Sequence, residues 1–260
     1  MVIAFTKYQG TGNDFVLLDN RKGSYSALST ADIARLCDRK MGIGADGLIL
    51  LNACDGYDFK MTYYNADGGE GSLCGNGSRC IVKFAHQLGI VRDRYHFMAI
   101  DGPHEALLDA SGIVSIHMQD VNELSTYQND WLLHTGSPHL VTFTNQVEQL
   151  NVYEKGKSIR YSERFTREGI NINFAERRQP DCLFVRTYER GVENETLSCG
   201  TGVTAAALAY HPNEKGHFEI TVDTLGGRLS VRYDSLGHQQ FTNIWLSGPA
   251  ERVFDGTLRV

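Results

Sequence analysis

Apolar positions along this chain recur mostly at the two-residue spacing of extended backbone, or in short continuous runs. Segments 15–18, 48–51, 59–64, 114–118, 182–188, 218–222, 229–233 and 241–246 therefore read as strands. Turn residues separate them, and Gly226-Gly227 marks the clearest hairpin. Helical spacing is rarer. Ser29 and Asp32 form a capping box ahead of Ile33, Leu36 and Cys37, while Ile81, Phe84, Ala85 and Leu88 make a one-faced stripe that ends at Gly89. A third helix is expected over about 203–210, stopped by Pro212. Its Thr204, Ala205, Ala206, Ala207, Leu208 and Ala209 leave no polar face, which suits a helix enclosed by protein on every side.

The second and third helices open alike, one on Cys74-Gly-Asn-Gly-Ser-Arg and the other on Cys199-Gly-Thr-Gly-Val-Thr. Each opening follows a tyrosine-ending strand and an acidic loop, and His86 and His211 stand equally far beyond their cysteines. The copies lie about half a chain apart. This repeat predicts a mixed α/β protein of α+β type, made of two pseudosymmetric half-domains, each with strands around one central helix.

Composition bounds the partners. With 42% hydrophobic residues, 22% charged and 27 glycines in 260 residues, the chain is an ordinary globular one, neither disordered nor collagen-like nor coiled-coil. A net charge of -6 without a Lys/Arg cluster gives no drive toward nucleic acid or anionic membranes. No apolar run approaches the ~18 residues of a membrane helix and no signal peptide is apparent, so a cytoplasmic location is expected. The six cysteines form no CxxC pair or metal-ligand spacing and are expected to be thiols, with Cys37, Cys54, Cys80 and Cys182 as small buried apolar residues.

Cys74 and Cys199 differ, because each precedes Gly-x-Gly at a helix start. Unpaired N–H groups and the positive end of the helix dipole favour a thiolate there, and the same N–H groups can cradle a carboxylate. Two such ends meeting in one cleft could hold a substrate carboxylate between a thiol on each face of its α-carbon. One thiolate would then remove the α-proton while the other thiol delivers a proton from the opposite side, with neither a redox nor a pyridoxal cofactor. A redox disulfide between the same residues is the competing use of the pair.

Two glycine strings imitate a dinucleotide-binding loop. Gly42-Ile-Gly-Ala-Asp-Gly47 follows a helix and precedes a strand, the wrong order, and Gly200-Thr-Gly-Val-Thr-Ala205 lacks the acidic residue that ends a second strand of a βαβ unit. Neither is read as a nucleotide site.

Six segments in order, Gly10-Thr-Gly-Asn-Asp-Phe15, Asn65-Ala-Asp-Gly68, Cys74-Gly-Asn-Gly77, Glu189-Arg-Gly191, Cys199-Gly-Thr-Gly202 and Gly248-Pro-Ala250, together resemble the diaminopimelate epimerase family over nearly the whole chain. The resemblance implies cofactor-independent interconversion of LL- and meso-2,6-diaminopimelate, serving lysine and peptidoglycan precursor synthesis. It implies a homodimer whose half-domains are mixed strand barrels around central helices, dividing at 1–119 plus 250–260 and 120–249, with the last strand returning to the first half. It makes Cys74 and Cys199 the acid/base pair and the backbone of Gly75, Asn76, Gly200 and Thr201 the holder of the reacting carboxylate. Asn13, Asn65, Asn171, Glu189 and Arg190 match its substrate binders, and their chemistry suits a distal amino acid group, with Arg190 forking onto the carboxylate and Glu189 accepting from the ammonium. His139 matches a supporting histidine. Against the family pattern, Gly47 stands in place of Gln and Ser137 in place of Asn, and Val192-Glu-Asn-Glu195 carries one extra residue. These departures keep a second reading open, another two-base racemase of proline or histidine type. A non-catalytic amino-acid binding or redox-sensing module is the alternative of a different class.

Overall fold

The computed structural model describes residues 2–259. The chain divides into two compact units, Met1–Ile116 with Gly248–Val260, and His117–Ser247. The first unit runs β1 (Val2–Gly10), β2 (Asn13–Asp19), α1 (Thr30–Cys37), β3 (Gly47–Asn52), β4 (Phe59–Asn65), α2 (Gly75–Gln87), β5 (Arg94–Ala99), β6 (Gly102–Leu108) and β7 (Val114–His117). β1 and β2 are antiparallel, β2 and β3 parallel, β3 and β4 antiparallel, β4 and β5 parallel, and β5, β6 and β7 successively antiparallel.

The second unit runs β8 (Ser125–Tyr127), β9 (Asp130–His134), β10 (Pro138–Phe143), α3 (Val152–Arg160), β11 (Asn171–Gln179), β12 (Cys182–Glu189), β13 (Asn194–Thr196), α4 (Gly200–Leu208), β14 (Lys215–Thr224), β15 (Gly227–Gly237) and β16 (Gln240–Gly248). From β9 onward the pairing series of the first unit recurs. β9–β10 is antiparallel, β10–β11 parallel, β11–β12 antiparallel, β12–β14 parallel, and β14–β15 and β15–β16 antiparallel. α1 and α3 occupy one place in the two series, α2 and α4 another. β17 (Glu251–Arg259) pairs antiparallel with β1 and so belongs to the first unit.

Each unit wraps its strands around a buried helix. α2 packs on β1, β2, β3, β4 and β6, and α4 on β10, β11, β12, β14 and β15. β3 shows why its sequence is continuously apolar: Leu48 and Leu50 join the cluster around Ile33 and Leu36 of α1, whereas Ile49 points at Gly77 of α2. Both faces of the strand are covered. The same layering on α3 gathers Leu140, Ile172, Phe174 and Tyr188 with Val152.

Three expectations shift. The third helix starts at Gly200 instead of near 203 and ends at Leu208, because Cys199 is its N-cap and Gly200 and Gly202 lie inside its first turn. Thr224 pairs with Gly227, so the hairpin turn is Leu225-Gly226. Cys37 and Cys80 are buried, but Cys54, in the loop after β3, and Cys182, the first residue of β12, are only half-buried.

Candidate active site

In the first unit the site is built on one turn and one helix end. β1 and β2 are joined through Thr11 and Gly12, both at positive φ (50° and 85°), with Gly10 paired to Asn13. A β-branched residue is strained there. Thr11 is buried and its Oγ1 accepts a 3.1 Å hydrogen bond from Arg79 Nη2, which holds the turn against α2. Asn13 is thereby delivered to the start of α2. Cys74 caps that helix, its Sγ accepting from the Gly77 N–H at 3.5 Å, and its thiol donates to Asn13 Oδ1 at 3.6 Å. Asn76 Nδ2 donates to the same oxygen at 3.4 Å, while Asn76 Oδ1 accepts from Arg79 Nη2 at 3.0 Å. Gly75 and Asn76 supply the first N–H groups of the helix. Asn65, exposed at the end of β4, sits opposite Gly47 of β3.

Gly47 has a local cause. A Cβ there would lie 2.5 Å from Tyr63 Cε2 and from the Tyr64 carbonyl, so the Tyr63 ring takes the space a glutamine would need.

In the second unit Cys199 caps α4 and is buried, with Sγ 3.5 Å from Thr201 Oγ1. Thr135 Oγ1 donates to the Thr201 carbonyl at 2.8 Å, tying the loop before β10 to this helix end. Asn171 is buried at the start of β11. Its Oδ1 accepts from the Arg190 N–H at 2.8 Å and its Nδ2 donates to Ser137 Oγ at 2.7 Å and to the Pro138 carbonyl at 3.0 Å. Asn171 thus ties the Ser137 loop to the end of β12, and Ser137 is its direct partner. Glu189 Oε2 accepts from Thr196 Oγ1 at 2.9 Å, and the exposed Arg190 side chain donates to the Glu168 carbonyl at 3.1 Å.

His139 is wholly buried beside these residues, paired across the sheet with Asn171. Thr187 Oγ1 donates to Asn173 Oδ1 at 2.9 Å, and Asn173 Nδ2 donates to the Leu140 carbonyl and to His139 Nδ1, each at 3.0 Å. That network assigns the proton to Nε2. Burial, with His134 and Arg190 nearby, pushes the imidazole down to about 3, so His139 is neutral at physiological pH. The unfolded chain binds a proton near 6.5 that the folded chain refuses. Stability should therefore fall as pH drops from about 6.5 toward 3, with this one group contributing a slope of up to about 1.4 kcal/mol per pH unit. Urea titrations at several pH values should show a shallower decline in His139→Gln, and equal slopes would contradict this account.

The residues expected from sequence thus fall into two groups. Asn13, Cys74 and Asn76 share one hydrogen-bonded cluster, and Cys199 with Thr201, and Asn171 with Arg190, lie around the second helix end. Sequence reading missed Arg79, Asp46, Asn173 and Thr187. Arg79 and Asp46 were visible as polar residues inside glycine-bearing motifs. Asn173 and Thr187 carried no signal beyond being polar at inward strand positions. Among the described residues, no group of three or more His, Cys, Asp or Glu is placed to hold a metal ion, and no helix is long and apolar enough to cross a membrane.

Solved structures share this fold at low sequence identity. A phenazine biosynthesis protein of the PhzF family from Bacillus anthracis superposes with a TM-score of 0.78 at 13% identity, covering 100% of both chains. A hydroxyproline epimerase from Agrobacterium vitis gives 0.70 at 12% identity, covering 99% of this chain and 92% of that one. The fold is therefore the α/β architecture shared by the PhzF-family protein and the hydroxyproline epimerase. Within that class the chain belongs to the diaminopimelate epimerase family, whose model matches residues 5–124 and 131–253. The diaminopimelate epimerase of Flavobacterium psychrophilum is 48% identical over 97% of this chain and 98% of its own, and that of Chlorobaculum tepidum 40% identical over 96% and 98%. The chain is an isomerase of the epimerase type.

Proposed function

We propose that this protein interconverts LL- and meso-2,6-diaminopimelate, with Cys74 and Cys199 as the acid/base pair. The observation that carries the reading is the duplicated, cysteine-capped buried helix, one in each topologically equivalent unit, in a chain of this family. One thiolate takes the α-proton, and the electron pair left behind delocalises into the α-carboxylate. The other thiol then gives its proton to the opposite face, so the product is inverted and the two sulfurs have exchanged protonation states. The N–H groups of Gly75, Asn76, Gly200 and Thr201 stabilise the developing enediolate charge. Arg190, Glu189, Asn13, Asn65 and Asn171 are the candidates for holding the distal amino acid group. Neutral His139 supports the second helix end without carrying the transferred proton. In the same reading the protein is a cytoplasmic homodimer in lysine precursor synthesis.

Reduced protein incubated with LL-diaminopimelate in deuterated water is expected to form meso product with deuterium at the inverted α-carbon. Absence of both deuterium and inversion would reject this substrate. A proline and histidine panel then tests the reading that the Gly47 and Ser137 departures favour.

A further inference from the structure

The amide of Asn13 has two ends that cannot be exchanged. Its Nδ2 donates to Asp46 Oδ2 at 2.7 Å. Asp46 is a carboxylate that only accepts, held by Arg39 at 2.8 Å and by the Asp14 N–H at 3.2 Å. At the other end Asn13 Oδ1 accepts from Asn76 Nδ2, and Asn76 is fixed in turn by Arg79 donating to its Oδ1. Reversing the Asn13 amide would set its oxygen against the Asp46 carboxylate and its NH₂ against that of Asn76. The carbonyl oxygen therefore faces Cys74 Sγ. A thiol satisfies that oxygen by donating to it, whereas a thiolate meets a lone pair. Cys199 has a different neighbour, because the Thr201 hydroxyl can turn its hydrogen toward a thiolate.

We propose that Asp46 is a positioning residue: by locking the Asn13 amide it keeps the proton on Cys74, so that at rest Cys74 is the acid and Cys199 the base. The proposal rests on the two-thiol reading above.

The surroundings of Cys74 define what this lock works against. The Gly77 N–H and the buried Arg79 cation both favour a thiolate, although Arg79 commits Nε and Nη2 to the Pro249 carbonyl, Thr11 and Asn76. Cys80 on α2 is pushed up by burial and Tyr8 on β1 is pushed up to about 12, so both stay neutral. Lys7 on β1 pairs with Asp14 on β2, and with Arg39 and Asp46 they form a set of two cations and two anions. β3 has no ionisable residue and presents Ile49, while β4 presents Met61 and carries Tyr63, whose ring stands against Gly71. On β6, His104 and Glu105 are paired with Asp101 and Arg94. The Asn13 carbonyl is thus a direct contact that favours the thiol.

The test is alkylation of reduced, substrate-free protein by iodoacetamide across pH, with each cysteine quantified by mass spectrometry. The midpoint of each rate profile reports its thiol regardless of accessibility. In wild type the Cys74 midpoint should lie above that of Cys199 by about one pH unit or more. Asp46→Asn should lower the Cys74 midpoint by about one unit and leave Cys199 unmoved. Asn13→Ala, which removes the acceptor outright, should do the same and carries the test if Asp46→Asn does not fold. A wild-type Cys74 midpoint at or below that of Cys199 overturns the proposal, as does a folded Asp46→Asn protein in which Cys74 does not shift. Because no substrate is present, failure of the epimerase reading would show separately, as missing deuterium incorporation in wild type.

Discussion

Cys74→Ala and Cys199→Ala should each lower kcat for inversion by about a thousandfold or more, with little change in KM. General acid or base groups typically contribute 10²–10⁴-fold, and the proposed mechanism needs both in one turnover, since a proton removed from one face must be replaced from the other. The losses should not add, and the double variant is expected to be no slower than the worse single one. Serine is not a substitute, because a hydroxyl at the same place is far too weak an acid to share a proton at neutral pH. Both side chains sit at N-caps, so the alanine proteins should remain folded, at a cost of about 1 kcal/mol for Cys74, whose sulfur accepts the Gly77 N–H. Steady-state inversion assays on folded, reduced variants decide the matter. A single alanine variant that keeps a tenth of wild-type activity would remove that cysteine from the mechanism.

Much of this candidate site was legible because a helix that opens on a cysteine cap needs backbone geometry that only certain sequences give. Cys-Gly-x-Gly at a helix start is a local signal, and its duplication exposed the internal repeat. The strands found from pattern include ones buried on both faces or cleanly alternating, such as 48–51 and 229–233. β17 was missed as a pattern because seven of its nine residues are exposed. α3 was missed because only Val152 and Gly156 bury against the sheet, and its remaining residues are largely polar. Its inward face depends on an absent side chain, since a Cβ on Gly156 would lie 2.3 Å from Tyr188 Cβ. The two halves also diverge where they are topologically equivalent. Pairing sets Phe15 beside Gly47 in one unit and His139 beside Asn171 in the other. By the same register Ile49 and Tyr63 correspond to Asn173 and Thr187. One helix end rests on largely apolar side chains, the other on a hydrogen-bonded polar trio, and no periodicity announces that difference.

That divergence predicts opposite fates for two matching glycines. Gly77 and Gly202 occupy the same place in the two motifs, each in the first turn of its helix. A Cβ on Gly77 would approach Ile49 Cδ1 at 3.0 Å and Met61 Cε at 3.3 Å, the far ends of side chains that can rotate aside. Gly77→Ala should cost under about 1.5 kcal/mol, since overpacking is partly offset by the better helix propensity of alanine. A Cβ on Gly202 would lie 2.2 Å from Asn173 Oδ1. Asn173 cannot yield without releasing Thr187, His139 and the Leu140 carbonyl, three buried partners. Leaving such groups unpaired costs about 1–3 kcal/mol each, so Gly202→Ala should lose about 3–5 kcal/mol or fail to fold. Adding Asn173→Ala to Gly202→Ala removes the clash and should restore part of the loss, a coupling that independent sites would not show. Urea unfolding of wild type, Gly202→Ala, Asn173→Ala and the double variant measures it. Equal stabilities for Gly77→Ala and Gly202→Ala would mean that the polar trio does not hold Asn173 in place beneath α4.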